Sequence, residues 1–214
     1  MADKRFVIAL TRTCGSGATW IGEKLAEHYG IDLYDKKILS LASLDSGINE
    51  ALFAKADETM KQSLIYRVTK NIYNGETIPP ESPDFTKNDN LFAFQAKVLK
   101  ELAERESYVC IGRGADYILK DFPNVVSVFV YAPMEKCIQT EMKRLSMDRK
   151  TAEKHIEEMD KYRRSYYKYH TGKEWESPYN YDLCINTGEI SIEQAAKVIE
   201  DYVKMKYGIE AGHE

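Results

Sequence analysis

The chain has 214 residues, with 30 Lys and Arg against 34 Asp and Glu, a formal charge of −4, and 43% hydrophobic residues. That length suits one α/β domain with a substantial core, and the acidic balance argues against a general nucleic-acid binder, whose surface is usually strongly basic. The longest apolar run, Val125 to Ala132, is interrupted by Ser127 and far too short for a bilayer.

In chain order, Arg5 to Leu10 reads as a short apolar strand rather than a signal peptide. It stops at the polar, Gly-containing stretch Thr11 to Gly17. A helix follows, with Trp20, Ile21, Leu25 and Tyr29 forming a buried stripe and Gly30 ending it. Ile31 to Tyr34 is a second strand. Residues 35–106 read as mostly helical, broken at Asn74-Gly75 and at a loop holding Pro79, Pro80 and Pro83. Tyr108 to Ile111 is a buried strand running into Gly112-Arg113-Gly114. Val125 to Ala132 has the near-continuous β-branched and aromatic character of a central parallel strand. Tyr181 to Ile185 is the last strand, and a helix spans Ser191 to Tyr207. Strands alternating with helices predict a three-layer α/β domain with a parallel sheet. Cys14, Cys110, Cys137 and Cys184 show no C-x-x-C pairing, so reduced thiols and a cytoplasmic setting are expected.

The chemistry concentrates at Arg12-Thr13-Cys14-Gly15-Ser16-Gly17-Ala18-Thr19. Glycines let backbone N–H groups approach phosphate oxygens, and a following helix N-terminus adds a favourable dipole. Gly15, Gly17 and Thr19 match the end of G-x-x-x-x-G-K-[ST] in the strand–loop–helix context that motif requires. Arg12 stands where the first Gly belongs, and Ala18 where the Lys that bridges terminal phosphates belongs. An ordinary glycine-rich turn is the competing reading. Thr19 is a candidate Mg²⁺ ligand through its hydroxyl, or simply a first-turn residue. Phosphoryl transfer rests on positioning and electrostatics, so another cation must replace the Lys in a working kinase. Arg12, Arg113, Lys161, Arg163 and Arg164 are the candidates.

Gly15-Ser16-Gly17, Tyr34-Asp35, Ile111 to Leu119, Phe129 to Pro133, Asp160 to Tyr167 and Asn180 to Thr187, taken in order, resemble the cytidylate-kinase-like family of P-loop nucleoside monophosphate kinases. Members commonly read G-S-G-G at the loop, which makes the absent Lys a family trait. The resemblance implies a P-loop NTPase fold with a five-stranded parallel core in one domain over residues 1–208. It also implies a helical NMP-binding insertion at 36–106, a lid at 160–180 and a tail at 209–214. It implies ATP with Mg²⁺ as donor, bound by Arg12 and Gly15 to Thr19, and a nucleoside monophosphate acceptor, CMP or dCMP. Arg113, Arg163 and Arg164 would act on the phosphates, with Asp35 and Arg67 as acceptor-binding candidates. Asp35 serves equally as a helix N-cap, Arg67 as an exposed helical residue, and Arg163 and Arg164 as parts of a solvated charged helix.

Two departures stand out. Gly114 replaces the Asp of the Gly-Arg-Asp found in true cytidylate kinases, with Asp116 two residues on, and Cys137 and Thr140 lie near helix positions where the kinases often carry Arg, although Arg144 remains. These departures and Ala18 support an alternative: a nucleotide-binding sensor that keeps the fold with little or no phosphoryl transfer. Tyr166, Tyr167, Tyr169 and Trp175 are candidates for base stacking or for packing. No role is assigned to His28, His155, His170 or His213, which lack metal-ligand spacing. No nucleic-acid or membrane partner is expected, and the oligomeric state is not readable.

Overall fold

The computed structural model describes residues 5–35 and 88–212. Arg67, the proline-rich loop and most of the expected 36–106 insertion lie outside the described residues. Five strands, β1 (Val7–Arg12), β2 (Asp32–Tyr34), β3 (Tyr108–Ile111), β4 (Val125–Tyr131) and β5 (Leu183–Asn186), form one parallel sheet in the order β2-β3-β1-β4-β5. The helices are α1 (Ala18–Tyr29), α2 (Asn88–Arg105), the short α3 (Ala115–Ile118), α4 (Met134–Leu145), α5 (Arg149–Thr171) and α6 (Ile192–Tyr207).

β1 is the middle strand, and its side chains alternate between two cores. Val7 and Ala9 pack with Leu99, Leu102 and Leu119 beneath α2 and α3. Ile8 and Leu10 pack with Ile21, Leu25, Ala195 and Ile199 beneath α1 and α6. Burial on both faces explains why β1, β3 and β4 read as near-continuous apolar runs. α6 starts at a full capping box, the Ser191 hydroxyl accepting from the Gln194 N–H while the Gln194 side chain accepts from the Ser191 N–H. α5 is capped by Asp148. Among the described residues no helix is long and apolar enough to cross a membrane, and all four thiols are free.

Two local expectations are corrected. β5 begins at Leu183 rather than Tyr181, because Asp182 closes onto β4 with its side chain: its carboxylate accepts the Ser127 N–H at 2.8 Å while its own N–H donates to the Ser127 carbonyl at 2.9 Å. Trp20 is not part of the buried stripe of α1. Ile21 and Leu25 carry that burial, whereas Trp20 is 42% exposed beside the loop.

Candidate functional site: a trough across the strand ends

The connections after β1, β2 and β3 all open at the carboxyl edge of the sheet, the edge where open α/β sheets bind ligands. The loop after β1 is held from several directions. Thr13 N–H continues the ladder to the Val130 carbonyl at 3.0 Å, the Ser16 hydroxyl donates to the Thr13 carbonyl at 2.9 Å, and the Thr187 hydroxyl donates to the Ser16 carbonyl at 2.8 Å. From α5, the Asp160 carboxylate accepts the Cys14 N–H at 2.9 and 3.2 Å. Gly15 and Gly17 take positive φ (79° and 83°), the alternation that turns backbone N–H groups toward one side. The first-turn N–H groups of α1 have no intrahelical acceptor and face the same region.

Gly15 is fixed by contact as well as conformation. A Cβ there would lie 2.6 Å from the Cys137 carbonyl oxygen and 2.8 Å from its Cα, both in the backbone of α4. Gly15→Ala is therefore expected to cost about 2–4 kcal/mol, left-handed strain plus overpacking. Gly172→Ala, at φ 71° with nothing within 4 Å, should cost only about 1–2 kcal/mol. Paired urea melts check this, and equal losses would mean α4 does not press on the loop.

Three clefts join into one trough. The central one is lined by the 12–20 segment with Thr140, Glu141, Arg144 and Arg163. Toward α6 it continues past Gly15 to Gly17, Trp20 and Thr140 into a cleft with Lys136, Lys143, Ile190 and Ile192. Toward β3 it shares Arg12 and Arg163 with a cleft walled by Tyr162, Tyr166, Tyr167 and Trp175, which also holds Arg113.

Arg12, Arg113 and Arg163 thus converge where the central cleft meets the aromatic one. The Arg12 guanidinium crosses over Gly112, where a Cβ would fall 2.2 Å from its Nη1; only glycine permits that path. Burial, then the charges of Arg163 and Arg113, lower the Arg12 pKa to about 10. A cation made less comfortable by burial and by its own kind is stabilised by an arriving anion. Arg113 stands at φ 61° between Gly112 and Gly114, both also at positive φ. Such a conformation in a non-glycine residue costs of order 1–3 kcal/mol and clusters at ligand sites. Arg163 Nη1 lies 2.9 Å from Asp160 Oδ1, so one carboxylate links it to the loop backbone. Burial raises the Asp160 pKa against the opposing pull of Arg163.

The other expected residues fall as follows. Arg164 turns to the outer side of α5, donating to Glu176 at 2.7 Å and lying 5.9 Å from the Trp175 ring; it lines none of the three clefts. Thr19 is exposed and lines the central cleft, while Ala18 is buried. Asp35 follows β2 at the same sheet edge, half-buried. Tyr166 and Tyr167 both line the aromatic cleft, but Tyr167 is buried with its hydroxyl committed to Asp116 at 2.6 Å. Tyr169 is 69% exposed. Asp116 also accepts from the Thr11 hydroxyl at 3.2 Å, and burial raises its pKa against those hydrogen bonds. It braces β1, α3 and α5 behind the arginines.

Sequence reasoning missed three participants: Asp160 as a loop anchor, Trp20 as a trough wall, and Glu141. Glu141 is buried in the central cleft with Arg144 on it, at 3.2 Å from Nε to each oxygen and 2.5 Å from Nη2.

The model of the cytidylate kinase-like family matches residues 7–189. A crystal structure of an uncharacterized protein from Eubacterium ventriosum is 28% identical, covering 94% of this chain and 99% of that one, with a TM-score of 0.69. The YorR protein from Bacillus subtilis, solved with phosphorylated GDP, is 13% identical over 95% of this chain and 99% of its own, with a TM-score of 0.51. Shikimate kinase from Bacteroides thetaiotaomicron is 13% identical over 93% and 98%, with a TM-score of 0.50; at such identities these two share the fold. No curated protein matches the chain in sequence. With the family model spanning the sheet, the loop and the arginine cluster, the chain belongs to the cytidylate kinase-like family and is a kinase-type enzyme.

Proposed function

We propose that the protein transfers the γ-phosphoryl group of ATP to a nucleoside monophosphate, CMP or dCMP by analogy with its family. The observation that carries this reading is the convergence of Arg12, Arg113 and Arg163 between a glycine loop and an aromatic-walled cleft. Donor phosphates would lie on the loop and the first turn of α1. The adenosine end would extend toward Trp20, Ile190 and Ile192, and the acceptor would enter between Tyr162, Tyr166 and Arg113. The three arginines then face the charge that spreads over the moving phosphoryl group, in place of the Lys that Ala18 lacks.

Thr19 fits a Mg²⁺ role, because an exposed hydroxyl at the first turn supplies one oxygen ligand to an ion that otherwise keeps waters and phosphate oxygens. When bound, Mg²⁺ would neutralise donor-phosphate charge. The second half of α5 and the segment to residue 180 would serve as the lid, Arg163 pointing inward and Asp160 holding the loop backbone. Asp35 and, outside the described residues, Arg67 remain candidates for acceptor contacts in a 36–106 insertion.

One observation favours a second reading. Arg144 in the central cleft is engaged by Glu141, so a cation available to donor phosphates is partly neutralised, as a nucleotide sensor with little turnover could tolerate. A coupled ADP-release screen over all nucleoside and deoxynucleoside monophosphates with ATP and Mg²⁺ decides. Acceptor-dependent release, greatest with CMP or dCMP, is the expected result. Tight ATP binding without release would select the sensor.

A further inference from the structure

Behind the loop, three side chains of mixed donor type meet from three separate elements. Cys14 comes from the loop, Glu141 from the middle of α4 and His155 from the second turn of α5. One ligand atom of each lies within 4.8 Å of the other two. Cys14 and Glu141 are 4% and 3% exposed, and His155 Nε2 is 3.9 Å from Glu141 Oε2.

We propose that Cys14, Glu141 and His155 form a binding site for a zinc-type divalent metal. A thiolate, a carboxylate and an imidazole are together too soft for Mg²⁺ or Ca²⁺, which take oxygen, and include too few sulfurs to favour Cu(I). They match the donor set of a three-ligand zinc site that keeps a fourth position for water or another ligand. With metal–sulfur and metal–nitrogen bonds of about 2.3 and 2.0 Å, tetrahedral donors sit roughly 3.5 Å apart. The observed spacing therefore needs side-chain adjustment of about an ångström rather than movement of helices. Binding displaces the Cys14 thiol proton to solvent as the metal–sulfur bond forms.

The competing partner is Arg144, which holds Glu141 in the present arrangement. Its side chain is 48% exposed, so it can leave for water while the metal takes over neutralising the buried carboxylate. Before exchange the thiol, carboxylate and guanidinium sum to zero; afterwards dication, thiolate and carboxylate again sum to zero, and the Arg144 guanidinium, released from Glu141, is one added uncompensated positive charge beside the loop. On the kinase reading given above, that added charge should tighten ATP binding, and ATP should tighten metal binding by the same factor.

The test uses the full-length protein, stripped with a chelator and titrated with Co²⁺ followed by Zn²⁺. The expected result is one equivalent of tetrahedral Co²⁺ with a thiolate-to-metal charge-transfer band, displaced by Zn²⁺. Cys14→Ser should abolish the charge-transfer band, and His155→Ala, at a partly exposed helix position, should weaken binding at least about tenfold. Cys184→Ser, removing the exposed thiol, should change neither. Absence of Co²⁺ uptake, or a band lost with Cys184→Ser and retained in Cys14→Ser, would overturn the site. Equal affinity in His155→Ala and wild type would do the same. Metal binding with these signatures but no effect on ATP affinity would keep the site and contradict only the coupling to the loop, so the two readings fail separately.

Discussion

Arg163→Ala is expected to lower turnover at least about a hundredfold, the usual cost of removing a strong transition-state donor, while Arg164→Ala leaves it within a few-fold of wild type. The two residues are neighbours on α5, but neighbours on a helix do not face the same way. Arg163 lines both the central and the aromatic cleft, whereas Arg164 is committed to Glu176 and Trp175 on the outside. Arg163→Ala also removes the cation beside Asp160, so it should cost about 1–3 kcal/mol of stability; Arg164→Ala breaks an exposed pair worth about 1 kcal/mol or less. Activity and stability are separated by Arg163→Ala combined with Asp160→Asn, which should recover part of the lost stability and none of the turnover. Steady-state kinetics well below the melting transition provide the readout. Comparable losses in the two single variants would show that the inward and outward assignment is wrong.

Arg113→Gly and Arg113→Ala should both lose about a hundredfold or more in turnover, yet differ in stability in the unusual direction, with glycine the more stable. Arg113 holds φ at 61°, and alanine keeps that strain while glycine removes about 1 kcal/mol of it. Both lose the guanidinium's interaction with Tyr166, a cost common to the two variants. Arg113→Gly should therefore melt close to wild type and Arg113→Ala below it. In an ordinary helix or strand the order reverses, because glycine gives up more chain entropy on folding. If alanine proves the more stable variant, the backbone at Gly112-Arg113-Gly114 is not held in the left-handed region in solution.

Much of the scaffold was legible because parallel strands covered on both faces leave near-continuous apolar runs, and β1, β3 and β4 do so. β5 was misplaced because Asp182 bonds to β4 through its carboxylate, a substitution that no periodicity records. Trp20 looked like core from its spacing with Ile21, Leu25 and Tyr29, yet Ile21 and Leu25 already fill the stripe on α1. Arg12 was legible as a basic residue at the loop; its passage over Gly112 depends on pairing between β1 and β3, strands about a hundred residues apart in the chain. Asp160 at three residues from Arg163 announced an ion pair, but its hold on the Cys14 N–H joins positions 146 apart. His155 was set aside for lack of local ligand spacing, and its neighbours Cys14 and Glu141 come from other elements.

Transfer of a phosphoryl group across this trough from ATP to a nucleoside monophosphate is checked by following the group itself. ATP labelled at the γ-phosphate is incubated with Mg²⁺ and either CMP or dCMP, and the products are separated by chromatography. The expected result is label in the nucleoside diphosphate, equal in amount to the ADP formed and absent with Arg163→Ala. Label appearing only as inorganic phosphate, or remaining in ATP that the protein nevertheless binds, would contradict it.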